Sequence, residues 1–142
     1  MTSHQIALIK TSWQAAATLG DAVGELFYGR LFEIAPEVKP MFYRISVKDQ
    51  SKKLLAMLSY VISKLDKLHD ILDEVAKLAQ RHVHYSVKPE HYTAVGEALL
   101  WTLEKGLADA WNDELKEAWT QCYVTLSSAM INAAEYTKQN AA

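Results

Sequence analysis

Three of the chain's five histidines fall within one short stretch, LAQRHVHYSVKPEHY, at positions 78–92. Histidine is the commonest side-chain ligand for metal ions in proteins, so this stretch could form a metal site. A zinc site on a helix would place its ligands on one face, as two histidines four residues apart do. Successive helical residues differ in direction by about 100°, which puts His82 and His84 roughly 200° apart. These two histidines therefore cannot hold one metal ion from the same helix, and His91 lies beyond a proline-containing turn.

His82 differs from its neighbours because it ends an apolar stripe. It follows Leu78 by 4 residues, Val75 by 7 and Ile71 by 11, which is the spacing of one helix face. The stretch thus offers one inward histidine, and His84 would face solvent. Such a histidine is either a hydrogen-bonded core residue or a ligand to a metal in the interior, and this stretch by itself favours the core residue.

Two other polar side chains are predicted to point inward from apolar helix faces. Tyr28 shares a face with Leu31, and Gln50 precedes Leu54 by 4 residues on another helix. A buried phenol or amide is costly unless it has a hydrogen-bond partner. Each could be a satisfied core group, or could sit at a frayed helix end. Three inward polar groups on three helices nevertheless favour a shared polar guest between them.

The elements that must position these groups are all helical. With 5 glycines and 3 prolines in 142 residues, the chain has few breaks, and no stretch alternates as a strand does. A first helix begins at a Thr2–Gln5 capping box, and Ser46 is predicted to cap a helix that starts near Val47. Further helices are predicted from Gly20-Asp21 to about Ala35, as a short turn between Pro36 and Pro40, and over about 89–107 and 112–138. The pattern predicts an all-α fold of six to seven crossed helices.

Composition limits the classes of function. The length predicts a single domain over 1–142. With 15 Lys and Arg against 17 Asp and Glu, the net charge is −2, and the absence of a basic block argues against nucleic acid as a partner. No leader sequence and no apolar run of about 18 residues is evident, so we expect no membrane association. The single Cys122, on a predicted inward stripe, is expected to be an inert core thiol and suits the reducing cytoplasm.

Four segments together carry a resemblance to a known family. They read LFYGRLFEIAPEVKPMF, QSKKLLAML, RHVHYSVKPEHYTAVGEALL and AWTQCY, in that order. In order and spacing they resemble a bacterial single-domain globin, similar to the heme domain of flavohemoglobins and to Vitreoscilla-type hemoglobin. The resemblance covers nearly the whole chain. It implies a globin fold around a heme pocket and one heme b, which would be held non-covalently because no Cys-x-x-Cys-His motif is present.

The resemblance implies roles for the residues next to the heme. His82 matches the proximal ligand to the iron, in agreement with its place on the apolar stripe. Phe42 matches the phenylalanine that packs flat on the heme. Tyr28 and Gln50 match the distal pair that faces the bound gas, with Leu54 one turn further along.

The remaining matches concern the surroundings of the heme. Tyr92 matches a tyrosine close to the proximal histidine. Val87 and Val95 are expected to line the edge of the heme. Lys53 and Arg81 could reach the propionates, although both could equally be solvated surface charges.

Two further positions show how this chain agrees with the family and departs from it. Gly24 matches a small residue that lets the second helix cross the distal helix, where Ser51 would face it. The family's glutamate, which completes a proximal network, falls at Ala134 in this chain. Glu135 is about 100° away from that face, so we expect an incomplete network.

The implied function is reversible, high-affinity binding of O₂, with NO and CO as further ligands. Slow release would suit scavenging of O₂, or its reaction with NO to give nitrate, which flavohemoglobins perform with an attached reductase. The alternatives are therefore an NO dioxygenase that depends on an external reductase, and a heme-free globin-like sensor or interaction module. The Tyr28–Gln50 pair argues against the heme-free alternative, because without a ligand neither side chain would be needed.

Overall fold

A computed structural model describes residues 1–42, 46–84 and 89–140. Within these ranges the chain forms six α-helices and three 3₁₀-helical segments, and no strand. The α-helices are α1 (Ser3–Ala17), α2 (Asp21–Ile34), α3 (Val47–Ser63), α4 (Leu72–His84), α5 (Pro89–Leu107) and α6 (Asp113–Asn140). The 3₁₀ segments are Pro36–Phe42, Leu65–Ile71 and Ala108–Ala110. The predicted fold class, an all-α arrangement of crossed helices, is confirmed.

Local side-chain chemistry sets the starts of the helices. The Thr2 hydroxyl accepts a hydrogen bond from the Gln5 N–H at 3.1 Å, and the Gln5 side chain accepts one from the Thr2 N–H at 3.0 Å. The Ser46 hydroxyl accepts from the Asp49 N–H at 3.4 Å, which starts α3 at Val47. These bonds satisfy backbone donors that have no partner within the helix. Both predicted caps are confirmed.

The helical geometry changes at the end of α3. The apolar spacing of α3 continues to Leu65, but the α-helix ends at Ser63 and a 3₁₀ segment, Leu65–Ile71, follows. Lys67 interrupts this segment with a non-helical φ of −138° and ψ of 44°. Leu65 and Ile71 are nevertheless buried. The chain therefore turns toward α4 while it keeps the apolar side chains of the connection inside.

Helices α2 and α3 cross at very short range. A Cβ atom built on Gly24 would lie 2.2 Å from both Cβ and Oγ of Ser51. Atoms that are not bonded to each other do not approach so closely. The Ser51 hydroxyl turns back to its own helix and donates to the Val47 carbonyl at 2.7 Å. The predicted contact between Gly24 and Ser51 is confirmed, and it requires a residue without a side chain at position 24.

Two buried tryptophans tie α1 to the rest of the core. Trp119 Nε1 of α6 donates to Ser12 Oγ at 2.9 Å, and Trp13 Nε1 donates to Ser59 Oγ of α3 at 3.0 Å. Their ring centroids are 6.2 Å apart. Each indole thus buries a large apolar ring while its N–H keeps a partner. Trp13 and Trp119 are therefore packing residues of the core.

The two glycines of α2 provide a matched pair of substitutions. Gly24→Ala should lower the free energy of unfolding by roughly 1–3 kcal/mol, because α3 must move away from the new methyl group. Gly29→Ala, where the added Cβ meets nothing within 4 Å, should raise it by about 0.5–1 kcal/mol through the better helix propensity of alanine. Urea denaturation followed by circular dichroism measures both. Equal effects at the two positions would contradict the close crossing.

Cys122 offers a second test of the core. Its side chain is 2% exposed, and burial raises the pKa of the thiol to about 12. At pH 8 about one molecule in ten thousand would carry the reactive thiolate. We expect alkylation by iodoacetamide to be negligible in the native protein and rapid in guanidinium chloride, as measured by mass spectrometry. Rapid labelling of the native protein would contradict an inert core thiol.

Candidate functional site

An aromatic cluster surrounds the buried Tyr28 on α2. Tyr28 is 4% exposed. Its ring centroid lies 5.0 Å from that of Phe27, 5.4 Å from that of Phe42 and 6.0 Å from that of Phe32. Phe42 comes from the end of the first 3₁₀ segment and also packs edge-on against Phe32, with 5.4 Å between centroids. The ring of Tyr28 is therefore held in place by three phenylalanines, and none of them offers an acceptor for its hydroxyl group.

The polar end of Tyr28 meets Gln50 from α3. Burial raises the pKa of the Tyr28 phenol to about 12, and a hydrogen bond from the Gln50 side chain opposes this rise in part. Tyr28 is therefore a neutral hydrogen-bond donor at any physiological pH. The two side chains that the sequence placed on separate inward faces thus lie together in the structure.

The close crossing of α2 and α3 explains why this pair meets. Gly24 precedes Tyr28 by one helical turn, and Ser51 directly follows Gln50. Contact of the two backbones at Gly24 and Ser51 brings the next turn of α2 within reach of the first turn of α3. A larger residue at position 24 would separate the helices and with them the two polar groups.

Three apolar side chains that the resemblance assigned to heme contacts are only partly buried. Phe42, Leu54 and Val95 come from three different elements and pack against the main core, yet each keeps part of its surface exposed. Phe42 also contacts Tyr28. Apolar side chains of this kind are chemically suited to contact a flat apolar group.

His82 belongs to α4, which extends to His84. The side chains of His82 and His84 and the whole of Val87 lie outside the described residues. The stripe that leads to His82 is inward: Ile71 and Val75 are buried and Leu78 is half-buried. The structure therefore supports the helix face from which His82 was predicted to act, and the position of the imidazole stays a prediction.

Tyr92 lies on the first turn of α5 and is buried, which raises the pKa of its phenol. The Tyr123 hydroxyl of α6 donates to the Tyr92 backbone carbonyl, and a backbone hydrogen bond with Gly96 also reaches Tyr123. A Cβ on Gly96 would lie 2.7 Å from the Tyr123 ring. Tyr123 therefore fixes the turn of α5 that carries Tyr92.

Two features of this region were not predicted from the sequence. They are the packing of Tyr123 against α5 and the burial of His91, which is 8% exposed. A signal for Tyr123 was present, since a glycine inside an otherwise good helix, as at Gly96, often marks close approach of a neighbour. For His91 no comparable signal exists, because its helix face could not be assigned so close to the proline-containing turn.

The predicted charged residues stand at the surface. Lys53 and Arg81 are both exposed, and neither forms an ion pair within the described part of the chain. Their predicted contacts with propionates stay predictions. Ala134 and Glu135 belong to α6, but their side chains lie outside the described residues, so the predicted incomplete network is not tested.

Two wider properties complete the description of the site. Among the described residues, no group of three or more His, Cys, Asp or Glu could hold a metal ion by itself. None of the helices in the described ranges is long and apolar enough to cross a bilayer.

Six crossed α-helices, with the buried Tyr28 of α2 meeting the half-buried Gln50 of α3, define an all-α protein with a polar pair between two of its helices. The globin family model matches residues 25–130, which include α3 to α5 and most of α2 and α6. The chain belongs to the globin family.

Relatives and solved structures agree with this assignment. The chain is 31% identical to a flavohemoprotein from Vibrio cholerae over 134 residues, which cover 93% of this chain and 34% of the relative. It is 28% identical to a neuroglobin from Tetraodon nigroviridis, covering 92% of this chain and 90% of the relative. A bacterial globin from Campylobacter jejuni superposes with a TM-score of 0.84 at 28% identity, over 97% of this chain and 99% of that one. The chain thus spans about a third of the length of the flavohemoprotein.

Proposed function

We propose that this globin binds one heme b non-covalently and uses it to bind O₂ reversibly and tightly, with NO and CO as further ligands. The observation that carries this proposal is the buried Tyr28 phenol with the Gln50 side chain beside it. Membership of the globin family and similarity to flavohemoproteins support the choice of cofactor.

The heme would supply the ferrous iron at which a diatomic ligand binds. His82 would be the single protein ligand to that iron, at the end of the inward stripe of α4. Phe42, Leu54 and Val95, with Val87, would cover the porphyrin with apolar contacts. Lys53 and Arg81 would pair with the propionates at the surface, and Tyr92 would lie near the outer nitrogen of His82.

Tyr28 and Gln50 would act on the ligand as hydrogen-bond donors. A phenol that stays neutral and an amide N–H both donate to a ligand that carries partial negative charge, and each bond is worth about 1–2 kcal/mol in a dry site. Two such bonds would slow release by about two orders of magnitude, since 1.4 kcal/mol is tenfold. Slow release suits capture of scarce O₂ better than its delivery.

A second candidate is an NO dioxygenase that receives electrons from a separate reductase. Similarity to flavohemoproteins over about a third of their length favours it, together with a proposed distal pair that would retain O₂ until NO arrives. NO consumption by the purified protein with an added flavin reductase separates this activity from simple binding. A heme-free sensor is a third class, which absence of a Soret band would reveal.

We also propose a cellular location and partners for this protein. The one cysteine is free and buried, which suits a reducing compartment such as the cytoplasm. Small diatomic molecules are the proposed ligands, and an external reductase is the proposed protein partner of the second candidate. Nucleic acid and membranes are not among the proposed partners, because the net charge is −2 and no basic block is present.

Substitution of His82 tests the proximal assignment. His82→Ala should lose the Soret band, or retain it only with excess heme, because no other side chain is proposed to bind the iron. His84→Ala and His91→Ala should keep the band, even though the burial of His91 makes some loss of stability expected. Absorption spectra of the oxidised, reduced and CO-bound forms measure this. Loss of heme in His84→Ala but not in His82→Ala would overturn the assignment of the helix face.

Substitution of Tyr28 tests the distal assignment. Tyr28→Phe removes one donor and keeps the ring, so O₂ dissociation should accelerate by about tenfold or more. Tyr60→Phe is the matched control, because Tyr60 lies on α3 but is 40% exposed, and it should leave the rate unchanged. Stopped-flow displacement of O₂ by CO measures both variants. An unchanged rate in Tyr28→Phe would refute a hydrogen bond from this phenol.

A further inference from the structure

Trp101 differs from the other three tryptophans of the chain. Trp13 and Trp119 are buried in the main core, and Trp111 packs against it. Trp101, on α5, is half-buried but belongs to neither of the hydrophobic clusters that the described residues form. An indole that does not pack on the core keeps part of a large apolar ring at the surface. Its packing partners in the folded chain are therefore found outside the core.

Two cations hold the ring of Trp101 in place. The guanidinium carbon of Arg30, on α2, lies 5.3 Å from the ring centroid, and Nζ of Lys105, one turn further along α5, lies 5.8 Å from it. Glu33 in turn holds Arg30, with 3.0 Å between Oε2 and Nη1. These contacts restrict the motion of the indole. The ring is thus presented at the surface in a fixed orientation, which lowers the entropy cost of binding a partner.

The charges along α5 are arranged symmetrically about Trp101. Glu97 precedes Trp101 by four residues and Lys105 follows it by four, and both charged residues are exposed. Residues four apart lie on one face of a helix, here about 6 Å from each other along the axis. Reversing the direction of the helix about Trp101 therefore exchanges the acidic position with the basic one. A face with this property is complementary to a second copy of itself.

The balance of charge around the ring selects the kind of partner. Two cations and three carboxylates lie on this part of α2 and α5, namely Arg30, Lys105, Glu33, Glu97 and Glu104. A strongly acidic partner would be repelled by the carboxylates, and a strongly basic one by the cations. A second copy in the antiparallel orientation meets attraction at both ends of the face, because each Glu97 lies opposite Lys105 of the other copy.

We propose that this protein forms a symmetric homodimer through the Trp101 face, which consists of Glu97, Trp101 and Lys105 on α5 together with Arg30 on α2. The two α5 helices pack antiparallel, with the two indoles at the two-fold axis and a Glu97–Lys105 pair on each side. Such an interface uses the same surface on both copies. Tryptophan and arginine at its centre are the residues that most often carry the binding energy of an interface. The inference goes beyond the proposed function, and it does not involve the heme.

The extent of the face sets the expected strength of the dimer. Helix α5 has 19 residues, a length of about 28 Å, and only its outer face is available. A contact centred on one helix from each copy buries less than the roughly 1,600 Å² of a standard stable interface. We therefore expect a weak dimer. Sedimentation velocity of the purified full chain should show a monomer at micromolar concentration and a growing fraction of dimer toward millimolar concentration.

Trp101→Ala tests the centre of the interface. Each dimer loses two indoles, so the association constant should fall by about a hundredfold or more. Tyr60→Ala is the matched control, because Tyr60 is an aromatic residue that is 40% exposed but lies on α3, and it should leave the association constant unchanged. Circular dichroism reports whether each variant is folded.

Charge reversal tests the antiparallel arrangement and leaves the ring in place. In Glu97→Lys and in Lys105→Glu, both charge pairs of the dimer become repulsive, so each variant alone should associate about tenfold or more weakly than the parent. An equal mixture of the two variants places opposite charges at both pairs again and should recover the dimer. Glu74→Lys and Lys77→Glu on α4 are the matched controls, since they reverse exposed charges outside the face and should associate as the parent does.

Three results would overturn the proposal. The parent protein could remain monomeric at millimolar concentration, or its dimer could be unaffected by Trp101→Ala. The mixture of Glu97→Lys and Lys105→Glu could also associate no better than either variant alone, or no better than the mixture of the two α4 controls relative to its own components. Sedimentation does not depend on a Soret band, so each of these results is separate from failure of the proposed function.

Discussion

The close crossing of α2 over α3 is the constraint on which the rest of the site depends. At Gly24 the two helices are so close that even a methyl group on this residue would overlap with Ser51. The hydroxyl of Ser51 is satisfied by its own helix, so the contact carries no unpaired polar group. Because helices are rigid over two turns, this single contact also fixes the separation of the neighbouring residues Tyr28 and Gln50.

A second contact plays a similar part next to Tyr92. Tyr123 of α6 packs its ring on Gly96 and bonds the carbonyl of Tyr92. Here too a glycine allows a neighbour to approach one helical turn away from a tyrosine assigned to the site. Tyr28 and Tyr92 are thus each positioned by a nearby glycine, which admits a serine in one case and a phenol in the other.

Helices and their ends were largely predictable from the sequence, because caps and apolar periodicity act over three to eleven residues. The Thr2 and Ser46 caps and the start of α5 at Pro89 depend on chemistry that neighbouring residues supply themselves. The break at Lys67 was not predictable in the same way, since the apolar spacing continues across it and the turn results from packing against distant helices.

The residues of the site were also predictable only where local spacing determines their position. Inward faces for Tyr28 and Gln50 followed from spacing, but that the two side chains meet depends on how helices cross, which one helix cannot specify. The contact between Gly24 and Ser51 was predicted only through resemblance to a family. Gly96 signalled a close approach, but it does not say which side chain approaches. The hydrogen bond of Tyr123 gives no further clue, because its acceptor is a backbone carbonyl, which every residue has.

Burial of polar groups connects this architecture to ligand binding. Removing the Tyr28 phenol from water costs free energy that one hydrogen bond with the half-buried Gln50 offsets only in part. A chain that buries this phenol, and leaves Phe42, Leu54 and Val95 half-exposed, is therefore less stable than one with a closed apolar core. A guest with an apolar body and a polar ligand relieves both deficits at once, and its binding adds to the stability of the folded state. The same groups that lower the stability of the folded chain thus favour the binding of such a guest.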